Sequence, residues 1–366
     1  EAGFEVAFWD NRLYLDFTYY KTDSRNQILK LATTAASGYT SQVRNAGHIR
    51  NRGYEIQLGA VPIQTSKGFR WNLDLNYGAN SSKVVKLDDE GLITSYQLYS
   101  SGIQILASVG EAYGTLFGTS YVRDANGNVV VDANGLPKIS TTNKTLGKFT
   151  PDWTGGISNT FSYRSLSLSF LIDASVGGSI FSNTNKTGKY TGVLANTLSG
   201  RDAEHGGLWY YTDAMGNNVR LSESPSYSVS SDGLYYAQVN GQSTRVYQDG
   251  IMVEGVTESG SKNEEVVSAE KYYHRIYSIA EANVYDASYV KLREVALSYR
   301  LPRLWTQKLH LQEASVTLTG RNLWTIYTSV PNIDPESALT TGNAQGVEAY
   351  SLPTTRSFGV NLSVKF

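Results

Sequence analysis

Phe358-Gly359-Val360-Asn361-Leu362-Ser363-Val364-Lys365-Phe366 alternates without a break, apolar at every second position and small or polar between. A period of two is the signature of a strand with one greasy face and one wet face. The same rhythm recurs upstream. Leu13, Leu15, Phe17 and Tyr19 interleave with Tyr14, Asp16, Thr18 and Tyr20, and Tyr54, Ile56, Leu58 and Ala60 with Glu55, Gln57 and Gly59. Phe69, Trp71, Leu73, Leu75 and Tyr77 interleave with Arg70, Asn72, Asp74 and Asn76. Leu166, Leu168, Phe170 and Ile172 alternate with Ser167, Ser169 and Asp173, Leu171 being the exception. No segment sustains a 3.6-residue period over several turns.

About nine long strands follow: 3–9, 12–20, 49–61, 68–80, 150–163, 165–176, 286–301, 309–324 and 354–366. Most have the ~9–11 residues that cross a bilayer when tilted. The strand 286–301 changes parity between Leu292 and Val295, which predicts a bulge there.

The connections are sorted. In order they run short (Asp10-Asn11), long (21–48), short (62–67), long (81–149), short (Arg164), long (177–285), short (302–308) and long (325–353). Membrane barrels place tight turns at the periplasmic rim and long loops outside the cell, whereas a soluble sandwich has no reason for this order. The predicted architecture is all-β: residues 1–366 form the C-terminal part of a transmembrane antiparallel β-barrel, with extracellular loops at 21–48, 81–149, 177–285 and 325–353. About nine strands cannot close alone, because an open edge has no place in lipid. The opening Glu1-Ala2-Gly3 already lies in a strand pattern, so an N-terminal part is expected beyond it.

Composition agrees. The 366 residues carry 32 Lys+Arg and 33 Asp+Glu, a net charge of -1, which gives no basic bias toward nucleic acid. Cysteine is absent, which excludes disulfides and thiolate chemistry. Tyrosine is heavy at 26 residues, against the aromatic poverty of disordered chains. No stretch reaches the ~18 apolar residues of a membrane helix, but alternating strands span a bilayer with only one greasy face, so a mean hydropathy of -0.31 is compatible. Trp9, Tyr163, Tyr299 and Phe366 fall near the tight turns and Tyr19, Tyr77 and Tyr289 near the long loops, as two interfacial girdles would require.

Motifs along nearly the whole chain resemble the SusC/RagA family of TonB-dependent transporters of Bacteroidetes. They begin with Glu1-Ala2-Gly3-Phe4-Glu5 and Phe8-Trp9-Asp10-Asn11-Arg12-Leu13. Asn45-Ala46-Gly47-His48-Ile49 then leads into Asn51-Arg52-Gly53-Tyr54-Glu55. Val109-Gly110-Glu111-Ala112-Tyr113-Gly114, Pro151-Asp152-Trp153 and Tyr289-Val290-Lys291-Leu292-Arg293-Glu294-Val295 come next. Gly320-Arg321-Asn322-Leu323, Asp334-Pro335-Glu336 and Pro353-Thr354-Thr355-Arg356-Ser357 complete the set, and only Ala112, where the family often has proline, departs from it. Each motif is weak alone; their joint order and spacing are specific. The resemblance implies a 22-stranded barrel, an N-terminal plug and a SusD-like surface lipoprotein as lid. It also implies energy from TonB through an N-terminal Ton box, an outer-membrane setting with lipid and lipopolysaccharide around the barrel, and a glycan or peptide as cargo. Phe366 on the last strand looks like a barrel-assembly sorting signal.

Catalysis finds no support. His48, His205, His274 and His310 are scattered without metal spacing, no Gly-x-Ser-x-Gly elbow occurs, and no cofactor is implied. The segment Asp124-Ala125-Asn126-Gly127-Asn128 … Asp132-Ala133-Asn134-Gly135 has the oxygen-rich composition of a calcium loop. Gly135 nevertheless stands where an EF-hand needs a bidentate Glu, and Asn-Gly pairs suit hairpin turns. Lumen-facing Glu55, Asp74, Glu294, Arg300 and Arg321 are candidates for contact with the plug or the substrate path, against the plainer reading that a large barrel has a wet interior. Trp209, Tyr210 and Tyr211 in the long loop 177–285 are candidates for stacking on a ligand, against the plainer reading that they pack the loop. The leading functional expectation is active import of an oligosaccharide or oligopeptide. A passive porin and a glycan-binding adhesin are the alternatives.

Overall fold

The computed structural model describes every residue except 33–35, 37, 40 and 309, and describes backbone alone at 29–32, 41 and 44. Nine strands make one antiparallel sheet: β1 (Ala2–Phe8), β2 (Leu13–Ala32), β3 (Ser41–Gln64), β4 (Phe69–Lys86), β5 (Trp153–Tyr163), β6 (Leu166–Val176), β7 (Tyr289–Arg300), β8 (Glu313–Thr328) and β9 (Ser357–Lys365). Each pairs only with its neighbours along the chain, so the sheet is a plain meander. Such pairing satisfies every internal backbone donor and acceptor locally, which a strand in hydrocarbon must do.

Register aligns the alternation of all the strands. Val6, Leu15, Leu58, Leu75, Ile157, Ile172, Leu292 and Trp324 form one row across eight strands. Trp71, Phe161, Leu168, Leu297, Leu318 and Val360 form another. On the other face, Tyr14, Gly59, Asp74, Ser158, Leu171, Glu294, Arg321 and Ser357 make a polar row in which Leu171 is the exception. Among the described residues nothing covers the apolar face: Leu168 and Leu297 are each 40% exposed and Leu318 52%. An uncovered apolar surface of this size marks contact with a partner or a membrane.

The expected strands all form, and three, β2, β3 and β4, are longer than predicted. Segments 21–32 and 41–48, read from the sequence as part of a connection, continue the β2–β3 ladder from Lys21↔Arg52 through Arg25↔His48 and Gln27↔Ala46. Beyond the apolar band both faces are polar, so the hydrophobic period disappears while backbone pairing goes on. The tip of that connection lies outside the described residues.

Turns gather at one edge of the sheet. Trp9, Asp10 and Asn11 all adopt left-handed φ (53, 52 and 63), and Arg164, at φ 54, turns β5 into β6. Connection 301–312 carries a short helix, Arg303–Lys308. Tyr163 and Tyr299 sit in the first apolar row above this edge, as the girdle requires. Tyr289 does not belong to a girdle. It pairs with Ser175 and Thr328 on the polar face, one position out of step with Val290 and Leu292.

At the opposite edge, segments 87–152, 177–288 and 329–356 are folded rather than loose. The first holds a four-stranded sheet, the second a six-stranded one, and Ser179–Ser182 pairs in parallel with Val347–Glu348 of the third. A shared core of Ile103, Ile105, Leu116, Phe181, Ala280 and Val347 draws on all three. Fully buried Glu348 accepts hydroxyl bonds from Ser182 (2.7 Å) and Thr184 (2.6 Å). A second core joins Val131 and Leu136 of the first segment to Val253 and Val267 of the second. We refer to this unit as the loop body.

Two-sidedness is testable with adjacent residues. Leu168→Arg on the apolar face is expected to cost about 2–4 kcal/mol of folding into lipid, and Ser169→Arg on the polar face less than about 1 kcal/mol. Heat-modifiability of the two variants in outer-membrane fractions reads the difference; equal folding would contradict the assignment of faces.

Candidate functional site

The densest polar constellation lies where β7 meets the loop body. The parity break between Leu292 and Val295 is a bulge: Leu171 pairs with Glu294 and Ile172 with Leu292, leaving Arg293 unpaired. On the other side Leu292 pairs with Trp324 and Glu294 with Arg321, so Asn322 and Leu323 also stand outside the ladder, with Asn322 at φ 52. A bulge re-aims the side chain it carries. Arg293 reaches Asp173 on β6 with two bonds (3.0 and 2.6 Å), Glu336 with two more (2.9 and 2.8 Å), and Asn322 Oδ1 (3.2 Å).

Lys291, two positions earlier, donates to both Asp334 and Glu336 at 2.6 Å, and the Tyr289 hydroxyl donates to Glu336 at 3.0 Å. Thr354 donates its backbone N–H (3.1 Å) and its hydroxyl to Asp334. The Lys291 and Asp334 side chains are only 4% and 7% exposed. Burial alone would raise the Asp334 carboxyl, but the bonds from Lys291 and Thr354 outweigh it and hold the group at about 2. Glu336 is likewise lowered, burial being overcome by Arg293 and Lys291. Beside the network opens a pocket of about 340 Å³ lined by Lys291, Asn322, Trp324, Asp334, Thr354 and Arg356 among others. Charge-assisted, bidentate contacts of this kind fix position. The constellation clamps segment 329–356 to the wall.

Sequence reasoning quoted Lys291, Arg293, Asn322, Asp334, Glu336 and Thr354 within motifs but gave them no role. The available signal was the parity break, which marks a residue freed from the ladder.

The five residues expected on the wet side share the sheet face opposite the apolar one. Asp74, Glu294 and Arg321 share one row; Arg321 donates to Glu294 at 2.8 Å, and Arg300 to Glu313 at 2.9 Å. Glu55 pairs across to Thr18 and Gly78, nearer the loop body. They are spread over the wall and do not converge. Glycine helps bridge this face: a Cβ on Gly59 would fall 1.8 Å from the Tyr14 ring, which crosses β3 there so that its hydroxyl meets Asp74 at 3.4 Å. Tyr20 crosses Gly53 in the same way to reach Asn80 at 3.2 Å.

The candidate stacking residues are used by the loop itself. Trp209 and Tyr210 are buried, at 8% and 4% exposure. Trp209 packs on Tyr227 and edge-on to Tyr235, while Tyr210 stacks on Tyr247 at 5.0 Å and donates to Asp249 at 3.1 Å. Tyr211 is half-buried against the same cluster. The physical reason is the strand Leu208–Thr212: its rings lie inside a six-stranded sheet that needs a core. The Asp124 and Asp132 segments are hairpin turns, each Asp Oδ1 accepting the N–H groups two and four residues on. The histidines stay apart. Among the described residues no group of three His, Cys, Asp or Glu could hold a metal.

No protein-family model matches the chain. Among curated proteins, TonB-dependent receptor P3 of Formosa agariphila is 27% identical over the whole of this chain, and TonB-dependent receptor P26 of the same organism 24%. The chain spans 34% of each relative. Among solved structures, the RagAB peptide transporter aligns with the whole chain at a TM-score of 0.61 and 18% identity. The RagAB peptide importer in the 'closed-closed' state aligns at 0.62 and 19%. The chain covers 34% and 35% of those chains. It therefore has the fold of the corresponding third of a RagA-type transporter, and the resemblance read from its motifs to SusC/RagA-type TonB-dependent transporters stands on these relatives too.

Removing the buried cation should loosen the clamp. Lys291→Ala is expected to cost about 3–5 kcal/mol locally, because two carboxylates stay behind without it. Because the Asp334 carboxyl is depressed when folded, its contribution is full above the unfolded value near 3.8 and is lost as pH falls toward about 2. Pepsin cleavage within 329–356 should therefore rise between roughly pH 4 and pH 2, and in the variant already at the upper end of that range. A pH-independent cleavage rate would remove Asp334 from the clamp.

Proposed function

We propose that this chain is the substrate-handling C-terminal portion of a TonB-dependent outer-membrane importer, which takes up an oligosaccharide or oligopeptide together with a SusD-like lipoprotein. The observation that carries this reading is the division of the sheet: an uncovered apolar face, a polar face, tight turns at one rim, and a folded loop body at the other. A wall so divided separates lipid from a wet interior. The wet face is studded with paired charges rather than left apolar, a surface suited to a plug domain packed inside the barrel.

The loop rim is placed outside the cell, with the turns and the end of β9 in the periplasm. In this setting 329–356, clamped at Arg293 and Lys291 and sharing a core with the other two segments, gives a preformed surface on which cargo and lipoprotein meet. Transport proceeds by binding and gating: cargo is captured in the loop body and passes when the plug is remodelled from within by TonB, each state being selected by its differential contacts. Every charged group of the clamp is engaged in an ion pair with another, and the named relatives are receptors and transporters.

Uptake of labelled oligosaccharide and oligopeptide mixtures by cells with and without TonB tests the reading. We expect accumulation to collapse in the TonB-deficient strain and the purified barrel to show no steady conductance in planar bilayers. Undiminished uptake without TonB, or a permanently open pore, would favour the passive channel instead.

A further inference from the structure

A second cavity, of about 690 Å³, lies wholly within the loop body, away from the clamp. Its walls include Tyr121 from the 87–152 segment, and Lys189, Met252, Tyr272, Tyr273 and Ile276 from the 177–288 segment. Its size suits a small organic ligand or one end of a larger one, and its lining mixes tyrosine rings and aliphatic side chains with polar groups such as Lys189, Asn196, Ser199 and Glu254.

Lys189 is the distinctive member. It sits in the last turn of helix α1 (Asn183–Thr191), where its ammonium donates to Ala282 O (2.8 Å) and Asn283 Oδ1 (3.3 Å). Lys189 is half-buried, and among the described residues no carboxylate lies within ion-pair distance of it, whereas the buried Lys291 has two. Burial pushes the Lys189 amine down to about 8, so it is still mostly cationic at neutral pH. The ammonium also stands 5.2 Å from the Tyr285 ring, whose own hydroxyl is buried with no hydrogen-bond partner among the described residues. A buried cation is ordinarily paired, because its charge is otherwise costly. Here two neutral oxygens occupy two of its three protons, and one remains.

We propose that this cavity binds a carboxylate-bearing ligand: the carboxylate accepts the remaining Lys189 N–H, and its ring or apolar body lies against Tyr121, Tyr272 and Tyr273. One free ammonium proton matches a monoanion accepting a single strong bond. A phosphate or sulfate dianion needs more donors, and Glu254, the other charged residue in the lining, opposes a second negative charge. The site rests on the import reading only in making the ligand part of the cargo. Binding is measured on isolated protein without TonB or uptake, so either idea can fail without the other.

The test is calorimetric titration of the detergent-solubilised full-length protein with 3-phenylpropionate, with its neutral amide, and with inorganic sulfate. We expect saturable binding of the acid, at least about tenfold tighter than the amide, and none of sulfate. Lys189→Met should erase the preference for acid over amide, and Lys189→Arg should keep it. Equal affinity for acid and amide, tighter binding of sulfate, no saturable binding of the acid, or a preference that survives in Lys189→Met would each overturn the proposal. The acid–amide comparison on unaltered protein stands even if a variant fails to fold.

Discussion

Inside the nine-stranded sheet the backbone pairs with neighbouring strands except at the bulges, and among the described residues one side of that sheet is left greasy and uncovered, a combination that water does not reward but hydrocarbon does. The remaining architecture follows from it. Because side chains alternate along a strand, an apolar outer face dictates a polar inner face, and the pairing of eight strands carries the division from Val6 to Trp324. The polar face then settles its own charges at short range. Arg321 meets Glu294 on the next strand, and Tyr14 and Tyr20 lie across glycines to reach a strand beyond.

The second constraint acts at the loop rim. A long excursion from a barrel wall cannot bury enough surface alone, and here three of them fold by sharing cores. Their attachment to the wall uses the one place where the ladder is broken. The bulge at Arg293 costs a pair of backbone contacts but frees a guanidinium to hold Asp173 of the wall and Glu336 of the third segment at once. Lys291 and Thr354 complete the fastening through Asp334. The local departure from regular strand geometry is thus what joins the nine-stranded sheet to the loop body.

Two lysines, one buried and one half-buried, illustrate how the same residue serves different ends. Lys291 is fully paired and holds structure. Lys189 rests on neutral oxygens beside an aromatic-walled cavity and is therefore the better suited to receive a charge from outside the chain.

Period-two alternation and the order of short and long connections were sufficient to place all nine wall strands, the bulge, and the wet-face positions of Glu55, Asp74, Glu294, Arg300 and Arg321, since each depends only on neighbours along the chain. The reach of the β2–β3 hairpin was hidden because both its faces turn polar beyond the apolar band, so hydropathy carries no period there. Tyr289 was misplaced by composition: an aromatic near a rim looks interfacial until its parity with Val290 is counted. Trp209 and Tyr210 looked like exposed stacking rings because nothing local shows that Val246 and Ala237, some thirty residues on, close over the same core. The clamp and the Lys189 cavity could be found only in three dimensions. Their members come from segments more than forty and sixty residues apart, brought together by packing between loops, a long-range event to which no local spacing in the chain responds.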